Sequence, residues 1–260
     1  MYKILRYSFY DLIRSKWCYI YFSFYLILSS VLLFLNNSLA KSIITLMNII
    51  VILTPLIGSI FGAMYYYSSK EFAELLLAQP IKRNTVFLGQ YIGLSLSLSA
   101  SLVVGLAIPF IAYGMLISSE ITNFISVIII GVVLTFIFTA ISYYIALSNE
   151  DKIKGIGLAI LFWLLMAVIY DGFFLICLLA LKEYPLENFS LFSVLLNPID
   201  LSRILIILKL DIAALLGYTG AVFQGFFGKK IGMLIIASVL AFWIIIPIIM
   251  INIKSKKRDF

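Results

Sequence analysis

The chain has 260 residues, of which 63% are hydrophobic and 12% charged, where an ordinary soluble domain carries roughly 25% charged residues. With a mean hydropathy of +1.14, this excludes water as the main solvent and points to an all-α integral membrane fold. The net charge of +7, from 19 Lys and Arg against 12 Asp and Glu, needs no nucleic acid partner, because basic residues collect in the cytoplasmic loops of membrane proteins and fix their topology.

Residues 1–16 place Tyr2, Leu5, Phe9, Leu12 and Ile13 at helical spacing, with Lys3, Arg6, Arg14 and Lys16 largely off that stripe. The pattern predicts an amphipathic helix in the membrane interface with its basic face against anionic lipid; the plainer alternative is a charged extension of the first span. That span is expected over 17–35 and reads as a retained helix, since no small-residue cleavage site follows it. A second is expected over 45–67, ending on Tyr65, Tyr66 and Tyr67, aromatic rings suited to the interface.

The polar stretch 68–85 separates it from a third span at 86–117. Within that stretch Glu71 and Glu74 favour a helix start, Leu75, Leu76 and Leu77 give an apolar face, and Ala78, Gln79 and Pro80 close it. Such a helix, with Phe72 on it as well, hides its apolar face either in lipid or in a partner's groove. A fourth span is expected at 122–147, a compact charged loop at 149–154, a fifth span at 155–181, a mixed outer segment at 182–231, and a sixth span at 232–253 before a basic tail.

Six spans return the C-terminus to the side of the N-terminus. Thirteen of the 19 basic residues then fall on that side, four before the first span, three in 68–85, two in 149–154 and four in the tail, which places both termini in the cytoplasm. A rival seventh span at 204–222 is interrupted by Lys209 and Asp211 and preceded by Arg203, and charges are costly at the bilayer centre. A re-entrant or membrane-hugging outer segment packed on protein is therefore expected.

Asp171 is the one acid well inside an expected span, and no second charge in the spans stands ready to pair with it. It can contact a cation or proton or bond a hydroxyl on another helix; the structural alternative is a local bend with Gly172. Asn197-Pro198-Ile199-Asp200 is turn-and-cap grammar, with Asp200 expected to cap a helix starting at Leu201 and Arg203 within its reach. The pairs Gly58 and Gly62, Gly89 and Gly93, and Gly228 and Gly232 permit close helix approach, within one subunit in preference to between two.

The chain has no histidine, which removes imidazole catalysis and ligation. It has no GxxxxGK[ST] sequence, which removes P-loop ATP hydrolysis. Its two cysteines, Cys18 and Cys177, form no CxxC and read as ordinary thiols. No metal site, bound cofactor or catalytic constellation is expected of this chain.

The segment EFAELLLAQPIKR at 71–83, in this topology, resembles the coupling helix of type-2 ABC transporter permeases, and the likeness covers nearly the whole chain. DKIKGIG at 151–157, YDG at 170–172, LNPIDLSRI at 196–204 and LDIAALLGYTGAVF at 210–223 resemble, more narrowly, permeases of nitrous oxide reductase maturation systems. The resemblance implies a non-catalytic membrane subunit in the bacterial inner membrane, paired with a second copy of itself. It implies a cytoplasmic ABC ATPase, holding ATP and Mg, that docks on residues 71–80, and a periplasmic copper-binding accessory protein that meets Asn197, Pro198, Asp200 and Arg203. Membrane lipid is the remaining partner. Three outputs stay open: transport of a small solute such as a sulfur species, purely mechanical work on the outer partner, or another exporter's cargo of solute or lipid.

Overall fold

The computed structural model describes residues 2–36, 38–180, 187–210, 224–226 and 230–257. Helix α1 (Tyr2–Ile13) leads into α2 (Lys16–Asn36), α3 (Leu39–Ser68), the short α4 (Lys70–Leu77), α5 (Arg83–Ala112) and α6 (Ile121–Ser148). Then come α7 (Lys152–Leu164), a π-helical turn (Leu165–Ile169) and α8 (Tyr170–Ala180), followed by α9 (Glu187–Leu195), α10 (Pro198–Lys209) and α11 (Lys230–Lys257). Among the described residues six helical stretches are long and apolar enough to cross a membrane: α2, α3, α5, α6, the continuous run α7 to α8, and α11. The all-α membrane class expected from composition is the class observed.

The spans alternate in direction, so α1, α4, the 149–151 turn and the end of α11 share one end of the bundle, called here the basic end. Span boundaries extend past the sequence limits because polar residues at a span's end need only reach the interface. Lys41, in the first turn of α3, stays exposed. Span five starts at Lys152 because Asp151 caps it, its Oδ1 accepting from the Ile153 and Lys154 amides at 2.8 and 3.4 Å.

In lipid, apolar contact alone does not drive helices together, so close backbone approach and interhelical hydrogen bonds matter more. Both devices join α3, α5 and α6. A Cβ at Gly58 would stand 3.4 Å from Phe138 Cβ, and one at Gly62 would run into Ser142 Oγ and lie 2.9 Å from the Thr139 carbonyl. The hydroxyls of Ser95 and Thr139 bond at 2.8 Å, Tyr143 donates to Gln90 Oε1 at 2.7 Å, and Tyr25 and Thr54 join α2 to α3 at 2.9 Å. Gly89 and Gly93 receive α1, with Ser8 Cβ 2.7 Å from where a Gly93 Cβ would be. The first two glycine pairs thus serve packing inside one chain, while the third, Gly228 with Gly232, lies partly outside the described residues. Helix α1 is seated on α5 through Ile4, Leu5 and the buried Ser8 and presents Lys3, Arg6 and Arg14 outward.

Between spans five and six, α9 and α10 meet at a bend of 111°. The pair forms a hairpin that turns inside the bundle and packs α10 against α3, α6 and α11; of the rival span at 204–222, residues 211–222 lie outside the described residues. Most of the LDIAALLGYTGAVF stretch, residues 211–223, lies outside the described residues.

Candidate functional site

Two assemblies of polar residues stand apart from the packed spans, one at the basic end and one deep in the opposite half.

At the basic end, Ser69 alone links α3 to α4. Ala73 is buried, Leu76 and Leu77 pack against the bundle, and Phe72 stacks on Tyr7 of α1 with ring centroids 4.7 Å apart. The opposite face presents Glu71, Glu74, Leu75, Ala78, Gln79 and Pro80, with Leu75 70% exposed. The expectation that three leucines form one apolar contact face is therefore narrowed. At about 100° per residue, successive leucines cannot all point one way, and Leu75 alone faces outward. Tyr67, one turn before α4, donates to the carbonyls of Asn149 and Asp151, each at 3.1 Å. Gly155 leaves room for that hydroxyl, which a Cβ would strike. The base of α3 is thereby tied to the start of span five.

The second assembly begins at the α9–α10 bend. Asn197 is fully buried; its Oδ1 accepts from the Ile199 amide at 3.0 Å, and its Nδ2 donates to Asp200 Oδ2 and to the Met166 carbonyl, both at 2.8 Å. Met166 is the middle residue of the run from Lys152 to Ala180, and it lies in the π-helical turn, a geometry that offers carbonyls outside the regular ladder. On the other side, Trp243, halfway along α11, donates to the Leu195 carbonyl at 3.4 Å. The hairpin therefore reaches the centre of the bundle. Asn197, not Asp200, is the cap, and α10 starts at Pro198, which lacks the amide hydrogen that a first helical residue leaves unused.

Freed from capping, Asp200 turns to Arg203. The Arg203 guanidinium lies 3.1 Å from Asp200 Oδ1 and 3.0 Å from Asp171 Oδ2. This corrects the expectation that Asp171 has no charge to pair with: its partner comes from the hairpin, 32 residues away. Nor is a bend at Gly172 needed, because the irregularity of span five is the π turn at 165–169. Tyr170 donates to the Ser193 carbonyl at 2.6 Å, a further tie between span five and α9. Two carboxyl groups share one guanidinium, and full ionisation of both would leave a negative charge that is costly in a medium of low dielectric constant.

Asn197, Pro198, Asp200 and Arg203, expected at a contact with an outer protein, all make contacts within the chain. Asn197 and Pro198 are buried, Asp200 is 8% exposed, and the Arg203 side chain is held between two acids. They join span five to the hairpin. Among the described residues no group of three or more His, Cys, Asp or Glu side chains comes together as a metal site.

No family model matches the chain. Over 177 residues it is 27% identical to the probable ABC transporter permease protein NosY of Stutzerimonas stutzeri. The chain is thus similar in sequence to an ABC transporter permease. The match covers 65% of this chain and 64% of NosY, so the similar region spans somewhat less than two thirds of that relative's length. Span five has polar contacts at its start, with Tyr67, and further along, with the hairpin.

Proposed function

We propose that the chain is the non-catalytic membrane subunit of an ABC transporter complex, in which a partner ATPase docks on α4 from the cytoplasm. Leu75 carries this reading: a large apolar side chain, exposed on a short helix at the basic end, is suited to a groove in a protein partner. The excess of Lys and Arg at this end supports a cytoplasmic location for it. Movement of the ATPase acts on α4 and the base of α3, passes through Tyr67 to the start of span five, and reaches the hairpin through Asp171 and Tyr170. A rigid helix with a discrete contact at each end is the kind of element that carries a two-state change.

The output we assign is mechanical work on the periplasmic side in the maturation of the copper sites of nitrous oxide reductase, with a second copy of the chain completing the membrane unit. Similarity to NosY and the DKIKGIG, YDG and LNPIDLSRI motifs support this assignment. Genes for an ATPase and a copper-binding periplasmic protein beside the gene for this chain are expected.

Leu75→Asp tests the docking face. The variant is expected to insert in the membrane as the parent does and to lose co-purification of the ATPase, with association weakened by about tenfold or more, as for removal of a central apolar anchor. Undiminished co-purification would remove α4 as the docking element.

A further inference from the structure

Beside the Asp171, Asp200 and Arg203 cluster lies a cavity of about 220 Å³, open on one side. Its polar wall is this cluster with Tyr170 and Ser193. The remaining described wall is apolar and includes Phe174, Leu178, Ile204 and Ile207. The Phe174 ring is itself held by stacking on Phe189, centroids 6.2 Å apart.

Three features of this cavity select one kind of ligand. The first is charge: among the described lining residues there are two acids and one base, and the base contacts both acids. An anion on Arg203 would stand beside two acids that lie within 3.1 Å of the same guanidinium, whereas a cation meets the excess of acid over base. The second is the pair of aromatic rings, Tyr170 and Phe174, whose faces attract a cation, most effectively where water is scarce. The third is the apolar wall, which disfavours a hydrated inorganic ion and favours alkyl or aryl groups. We propose that this cavity binds a small organic monocation, an ammonium group carrying alkyl or aryl substituents, with its charge at Asp171 and Asp200 and its substituents against Phe174, Leu178 and Ile207. The site requires no solute to cross the membrane; occupancy fixes span five against the hairpin.

The full-length chain in nanodiscs of zwitterionic lipid is titrated with radiolabelled benzyltrimethylammonium. Saturable binding at one site per chain is expected, and the neutral carbon isostere neopentylbenzene should compete at least about tenfold more weakly. Asp171→Asn, which keeps size and hydrogen-bonding groups, is expected to raise Kd about tenfold. Phe174→Leu, on a side chain facing the cavity, is expected to raise it about threefold to fivefold. Absence of saturable binding, equal competition by neopentylbenzene, or an unchanged Kd in a monodisperse Asp171→Asn variant overturns the proposal. Should Asp171→Asn fail to yield monodisperse protein, Phe174→Leu decides, and an unchanged Kd there has the same force. No ATPase takes part in these measurements, so their outcome is separate from that of the docking test on Leu75.

Discussion

Spans two and four are held together differently from span five and the hairpin. In the most apolar stretches of α3 and α6, 50% and 56% of residues are buried within the chain, while along span five only the small residues Gly155, Ala159 and Ala167 are. The first pair meets through glycines and through hydroxyls bonded within and across helices, contacts that tolerate almost no displacement. Span five meets its neighbours through a few polar contacts: Tyr67 at its start, Trp163 to the Ile52 carbonyl at 3.1 Å, and the Asn197, Tyr170 and Asp171 contacts beyond. A helix held by a few directional contacts has discrete alternatives when those contacts exchange, whereas a close-packed one does not. On the proposed function, α3 with α6 serves as the frame and span five as the moving part.

The frame breaks most severely at Gly62. Gly62→Leu drives a branched side chain into Ser142 and the Thr139 backbone, and overpacking of this kind costs about 3 kcal/mol or more. Loss of monodisperse protein, or a large fall in Tm in detergent, is expected. Gly172→Leu, at a position with open space on its Cβ side, is expected to leave Tm within about 1 °C, since substitutions away from close contacts change stability little. Equal losses at the two positions would erase the distinction between the packed spans and span five.

The polar tie of span five is tested at Arg203. Arg203→Ala leaves Asp171 and Asp200 facing each other without a cation. Removing one partner of a buried pair costs about 3–5 kcal/mol, and the partial exposure of this one lowers the expectation to about 2 kcal/mol. A fall in Tm that is largely restored by adding Asp171→Asn is the expected result, because the second change removes one of the orphaned charges. A double variant as unstable as the single one would show that Asp171 and Arg203 are not coupled.

The six spans, the short helix after span two and the hairpin after span five could all be read from the sequence, because each is a matter of apolar length, interruption and charge placement along the chain. The Leu75 face was only partly legible. The three leucines are consecutive, and which one faces outward is set by how α4 lies on Tyr7 and the bundle, a tertiary fact. The Asp171 and Arg203 pair was hidden for a related reason. Arg203 sits in a segment read as lying outside the membrane, and only the depth of the hairpin, fixed by Asn197 on Met166 and Trp243 on Leu195, brings it level with span five. The π turn has no residue pattern that distinguishes Leu165–Ile169 from the regular helix around it. What did carry a signal was Asn197-Pro198, which marks a helix start; taking Asn rather than Asp as the cap leaves Asp200 free and Arg203 on the same face of α10.

A smaller loss of stability than at Arg203 is expected at the other end of span five, and it bears most directly on transmission. Tyr67→Phe removes one hydroxyl that bonds two carbonyls and leaves the ring in place, a loss of about 1 kcal/mol. Such a change should lower Tm by only a few degrees and leave ATPase association through Leu75 intact. If Tyr67 passes motion from the base of α3 to span five, ATP-dependent changes reported by a probe at Leu179, exposed near the far end of α8, should nevertheless diminish markedly. Full probe response in a Tyr67→Phe complex would mean that span five is driven through the α3 and α6 frame, and that the division into frame and moving part is wrong at the basic end.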